Sequence, residues 1–186
     1  ARIVMREMTD VLSLELVSKG LVTDQLVVTI GYDRKNLESQ QITYTGKITT
    51  NRYGKKVPEH ANGTVNLERK TSSSHLLIQA AEELYDRIVD RNLLIRRLNI
   101  SANHLIDEGQ AEKEITYEQY DLFTDYQALE KREREKNDAL AKERKLQEAM
   151  LEIKNRFGKN AVLKGTSFQE GATGRERNEE ISGHKA

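Results

Sequence analysis

Residues 71–106 read TSSSHLLIQAAEELYDRIVDRNLLIRRLNISANHLI, and a change of period inside this stretch decides the fold. Leu77, Ala80, Ala81, Leu84 and Ile88 recur at intervals of three and four, which gathers them on one face of a helix. Ser72 or Ser73 stands where an N-cap accepts a backbone amide, so the pattern predicts a helix from there to Asp90. Residues 94–106 then switch to period two. Ile95, Arg97, Asn99, Ser101 and Asn103 point one way, and Leu94, Arg96, Leu98, Ile100, Ala102 and His104 the other.

Upstream, residues 2–20 place Val4, Met8, Val11, Leu12, Leu14 and Leu16 at helical spacing, with Gly20 as the stop signal. Residues 25–32, QLVVTIGY, are short, β-branched and bounded by turn formers, which suits a buried strand. Residues 33–63 read as a long loop or ragged hairpin, with 41–49 as the candidate for a further strand, and TVNLER at 64–69 alternates as a strand. The order is helix, strand, the candidate strand at 41–49, strand, helix, strand. It predicts a small α+β domain over residues 1–107, with two helices on one face of a sheet and a polar, basic opposite face.

After Asp107 the character changes. Residues 108–126 read as a linker, 127–158 as a charged helix and 159–186 as a flexible tail. The helix carries one apolar stripe, Leu140, Leu146, Ala149, Met150, Ile153 and Phe157, and Gly158 ends it. The linker holds EQYDLF at 118–123. Large apolar groups there either dock back on the domain or meet a partner.

Composition bounds the chemistry. Of 186 residues, 37% are hydrophobic and 32% charged, so the core is modest. Net charge is zero, which leaves any electrostatic footprint local. Cysteine is absent, which removes disulfides, thiolate metal sites and a thiol nucleophile and fits a reducing cytoplasm. No apolar run is long enough to cross a membrane, and Glu7, Asp10 and Glu15 interrupt the N-terminal helix.

Four histidines, His60, His75, His104 and His184, lack metal-ligand spacing, and no phosphate-binding Gly-rich loop occurs. Ser72–Ser74 beside His75 reads as capping rather than a catalytic triad, and Glu82 with Glu83 as a solvated helix face. Basic residues are more informative. Arg96 and Arg97, with Lys47, Arg52, Lys55, Lys56, Arg69 and Lys70, either lie along a phosphate backbone or keep a small sheet soluble.

The 71–106 stretch resembles the second half of the little-finger domain of Y-family translesion DNA polymerases. VTDQLVVTIGYDR at 22–34 and YTGKITTNRYGKKVPEHANGTVNL at 44–67 resemble the UmuC, ImpB, MucB and SamB-like branch of Gram-positive bacteria, and the likeness runs to RERNEEISGHKA at 175–186. The resemblance implies a βαββαβ module that grips primer-template DNA. On it, Arg96 and Arg97 match the family's paired arginines, and Thr71, Ser72 and Ser73 its threonine-serine run. It also implies error-prone translesion synthesis, DNA repair and the SOS response, in the cytoplasm and on the nucleoid.

The family's palm domain, with the carboxylates and magnesium of nucleotidyl transfer, is expected outside this chain, as is a strand preceding Arg2. The chain is then a C-terminal fragment of a polymerase, without catalytic residues or cofactor of its own. Gln119, Tyr120, Asp121, Leu122 and Phe123 resemble the bacterial sliding-clamp-binding pentapeptide, with Tyr120 where leucine is commoner. A rival expectation from another class is a scaffold that oligomerises through residues 127–157, although the charge run at 131–138 interrupts heptads.

Overall fold

The computed structural model describes residues 1–38, 44–111, 126–181 and 184–185. In chain order the elements are α1 (Arg2–Lys19), β1 (Leu21–Tyr32), α2 (Lys35–Glu38), β2 (Ile48–Thr50), β3 (Lys56–Pro58), β4 (Ala61–Thr71), α3 (Ser74–Ile88), β5 (Ile95–Asn103) and β6 (Ile106–Asp107). Then come α4 (Glu108–Ala111), α5 (Tyr126–Phe157), a 3-10 turn (Gly165–Phe168), α6 (Gly174–Glu179), β7 (Glu180–Ile181) and β8 (His184–Lys185).

β1 is the centre of the antiparallel sheet, flanked by β4 and β5, while β6 pairs with its first residues Leu21 and Val22. Alternation along β1 sends Leu26, Val28, Ile30 and Tyr32 to one face. There they join Leu77, Ala81, Leu84 and Tyr85 of α3 and Met5 and Leu16 of α1 in one core. The fold is α+β with both helices on one face, as the change of period predicts. Gly20 closes α1 in the left-handed region, φ 64°, and its amide donates to the Leu16 and Val17 carbonyls, a backbone state that glycine adopts without a Cβ penalty.

Three details depart from the periodicity. First, α1 buries Met5, Thr9 and Ser13 rather than Val11, which is 55% exposed. Thr9 donates to the Met5 carbonyl at 2.8 Å and Ser13 to the Ser72 carbonyl at 2.8 Å, so each buried hydroxyl has an acceptor, one within the helix and one in the segment before α3. Second, β1 begins at Leu21 rather than Gln25, and residues 94–106 are two strands, broken where His104 takes φ 51°. Third, residues 48–58 form a small β2–β3 hairpin. Residues 41–43 of the candidate strand at 41–49 lie outside the described residues.

The segment expected to be a flexible tail holds, in its first part, short elements seated on α1. Glu7, 6% exposed, accepts from the Thr173 amide at 2.9 Å and from Arg177 Nη2 at 3.1 Å, and Lys164 reaches Asp10. A buried carboxylate is costly without partners, and Thr173 with Arg177 of α6 supplies them to Oε2.

The approach of α3 to β4 depends on Gly63. A Cβ there would lie 2.8 Å from Leu84 Cδ1 and 2.9 Å from Ile88 Cγ2, and Leu84 is fully packed. Gly63→Ala is therefore expected to lower stability by about 1–3 kcal/mol, read as a fall in the thermal unfolding midpoint followed by circular dichroism. An unchanged midpoint would mean that α3 and β4 are less tightly apposed than this.

Candidate nucleic-acid interface

The sheet face away from α1 and α3 is mostly neutral polar side chains, with Val27 between Thr64 and Ser101 at its centre and Glu68 further along β4. Asn62, Thr64 and Asn66 come from β4, Gln25 and Thr29 from β1, and Asn99, Ser101 and Asn103 from β5. Register sets them side by side: Gln25 faces Asn66 on one strand and Asn103 on the other, while Thr29 lies between Asn62 and Asn99. The Gln25 amide donates to Asn66 Oδ1 at 2.9 Å and accepts from Asn103 Nδ2 at 2.9 Å, and Thr29 donates to Asn62 Oδ1 at 3.0 Å. The face is polar, as expected, but its centre is not basic. Sequence reading by charge passed over these amides, although their alternation was the available signal.

Positive charge gathers at the ends. Tyr32 pairs with Ile95 and Gly31 with Arg97, so Arg96 is the extra residue of a β-bulge. Strict alternation would have sent the two arginines to opposite faces and one of them toward the core. The bulge instead leaves both exposed and lets Ile95 pack inward. Arg96 Nη1 lies 3.5 Å from Asp33 Oδ2 with its side chain 73% exposed, while Arg97 stands across from Gly31, where no side chain competes for space.

The β2–β3 hairpin carries most of the loop cations. Lys47 Nζ contacts Glu59 Oε1 at 2.8 Å, and the hydrogen bond to that carboxylate raises the lysine's pKa. Arg52 lies over the Tyr53 ring at 4.7 Å from its centroid. Lys55 and Lys56 are exposed at the tip and start of β3.

Arg69, Lys70, Thr71, Ser72 and Ser73 lie at the opposite end of β1, where Thr71 pairs with Thr23. From Thr23 to Gly31 is eight residues, about 26 Å of strand. Ser73 is the N-cap of α3, accepting from the Leu76 amide at 3.2 Å, and Thr71 Oγ1 accepts from the Ser73 amide at 3.0 Å. The capping role expected for this run is present. The run is also buried, because α5 lies across it: Arg69 Nη1 reaches Asn137 Oδ1 at 3.4 Å, and Glu143, Arg144 and Gln147 contact the serines. Nothing in the periodicity of the charged helix marked those three residues.

Gln119, Tyr120, Asp121, Leu122 and Phe123 lie outside the described residues. Among the described residues no cluster of three or more histidine, aspartate or glutamate side chains is placed to hold a metal ion, and no helix is long and apolar enough to cross a membrane. Burial raises the pKa of the Tyr32 phenol, whose oxygen accepts from the Asp90 amide at 2.9 Å. That hydrogen bond ties the turn after α3 to the end of β1, which carries the bulge.

A family model described as the impB/mucB/samB family C-terminal domain matches residues 1–116. No curated protein and no solved structure matches the chain.

Proposed function

Because the chain belongs to the impB/mucB/samB family C-terminal domain, the C-terminal part of UmuC-like Y-family DNA polymerases, we propose that its open sheet face holds primer-template DNA. The observation that carries this reading is the distribution of groups on that face: hydrogen-bonding amides and hydroxyls in the middle, exposed arginines at one end. Arginine, asparagine and serine are side chains that bond phosphate and sugar oxygens, and these contacts position a duplex without reading its sequence. A neutral centre bounded by cations suits a backbone that is charged along its edges and polar in its grooves.

In this reading the chain contributes grip, and nucleotidyl transfer with its magnesium belongs to the polymerase's palm. The Gln119–Phe123 peptide then docks the enzyme on a bacterial sliding clamp, with Gln119 hydrogen-bonding at a pocket mouth and Leu122 and Phe123 filling it. The compartment is the cytoplasm, and the work is translesion synthesis.

The test is a salt titration of fluorescently labelled primer-template DNA by anisotropy. Binding is expected to be weak, indifferent to sequence, and to fall as a power of the salt concentration, with an exponent of roughly 0.9 per phosphate contacted. Affinity that ignores salt, or that follows base sequence, would overturn the reading.

A further inference from the structure

Three residues within little more than one turn in the middle of α5, Glu143, Arg144 and Gln147, converge on the segment before α3. Glu143 accepts from the His75 amide at 2.9 Å and from the Ser73 hydroxyl. Arg144 donates to Ser72 Oγ at 3.2 Å and to Glu108 Oε2 at 2.7 Å. Gln147, 4% exposed, places its Nε2 at 2.7 Å from Ser13 Oγ, 3.0 Å from the Ser72 carbonyl and 3.1 Å from Ser74 Oγ. The serines themselves are only 4–6% exposed. Their cover is shared: Ser13 of α1 lies on the inner side and α5 on the outer.

That cover is polar. Met150 is the one large apolar side chain of α5 that is buried, whereas Leu146, Ile153 and Phe157 are exposed. Beside these contacts, between the middle of α5 and the end of β4, lies an open cavity of about 480 Å³ lined by Arg69, Lys70, Glu108, Glu143 and Arg144. Hydrogen bonds to hydroxyls and amides exchange readily for bonds to water or to another anion, unlike a packed apolar seam. Glu143 presents two anionic oxygens to donors that a phosphate oxygen would also accept from.

We propose that α5 is an autoinhibitory strap. With Glu143 seated, it holds the Thr71–Ser74 turn away from the DNA backbone, and full engagement of DNA at this end of the sheet requires α5 to lift. This rests on the reading that DNA runs along the open face. It adds that the chain exists mainly in a state in which only the Arg96 and Arg97 end is available. The strap lowers affinity by the fraction of molecules in which it is open.

The experiment compares E143Q with E152Q in the full chain. Both remove one negative charge from α5, but Glu152 is exposed and away from the serines. E143Q is expected to bind primer-template DNA about tenfold tighter, as when an open fraction of about one tenth becomes dominant, and to steepen the salt exponent by roughly one per added phosphate contact. E152Q should change little. Amide hydrogen exchange on the unaltered chain gives a readout that needs no variant: saturating DNA should strip protection from residues 139–157.

Equal gains in both variants, weaker binding by E143Q, or α5 protection that persists on DNA would overturn the strap. If those results accompany a loss of binding in the Arg96→Ala, Arg97→Ala chain, the strap alone falls and the open face stands. If none of the chains binds DNA at low salt, the face reading falls and the strap with it.

Discussion

Replacing Arg96 and Arg97 together by alanine is expected to weaken binding to primer-template DNA about sixtyfold at about 0.1 M salt, uniformly across sequences. Each phosphate neutralised releases counterions worth about 0.9 in the salt exponent, so two contacts account for about 1.8 logarithmic units at that concentration. Both side chains are free to move to DNA at small cost. Arg96 meets Asp33 at 3.5 Å, a loose and largely solvated ion pair of the kind worth about 0–1 kcal/mol. Arg97 projects beside Gly31, on a strand whose inward face is already filled by Leu98 and Ile100. The thermal midpoint should therefore hardly change, which separates lost contact from lost fold. A salt exponent that is the same in variant and parent would place the duplex on another surface.

The pairing of these two arginines shows what the sequence made legible and what it did not. Period three-and-four in residues 77–88 and period two in residues 98–103 are local properties, and both elements form where those periods lie. The bulge at Arg96 is a property of how β5 meets β1, and no single strand carries it in its own residues. Reading Arg96 and Arg97 as consecutive strand positions puts them on opposite faces, yet pairing makes both solvent-facing. The break at His104 is similar. Residues 94–106 alternate without interruption in sequence, but the chain turns there, with His104 Nδ1 at 2.8 Å from Asp24 Oδ1, and β6 returns to the start of β1.

The charged helix was legible as a helix but not by its contact face. An apolar stripe through Leu140, Leu146, Ala149, Met150, Ile153 and Phe157 is what burial against a hydrophobic core would require. The surface α5 meets is instead a set of hydroxyls and carbonyls at Ser13, Ser72 and Ser74, so the buried position is Gln147, with Met150 one turn later. Polar burial leaves no periodic signature, because the same residue types serve on a solvated face. The seating of the tail on α1 was hidden for the same reason: its anchor is Glu7, a residue that reads as an interruption of an apolar helix.

Replacing Leu122 and Phe123 together by alanine is expected to weaken binding to a bacterial sliding clamp by about two orders of magnitude or more. The segment EQYDLF is short, so its binding free energy resides in anchors rather than in area. Each large apolar side chain buried in a pocket contributes roughly 1.5–3 kcal/mol, and the loss of two corresponds to at least a hundredfold. Tyr120, standing where the resembled pentapeptide commonly has leucine, tunes the affinity without replacing either anchor. DNA binding through the open face should survive the double substitution, since the proposed DNA contacts lie on the sheet and the peptide beyond it in sequence. A synthetic EQYDLF peptide should displace the chain from the clamp, and a peptide with both anchors replaced should not. The opposite pattern has a physical meaning of its own: clamp binding untouched and a lowered melting temperature would mean that Phe123 packs on the domain, and the peptide would then be a structural seam rather than a docking motif.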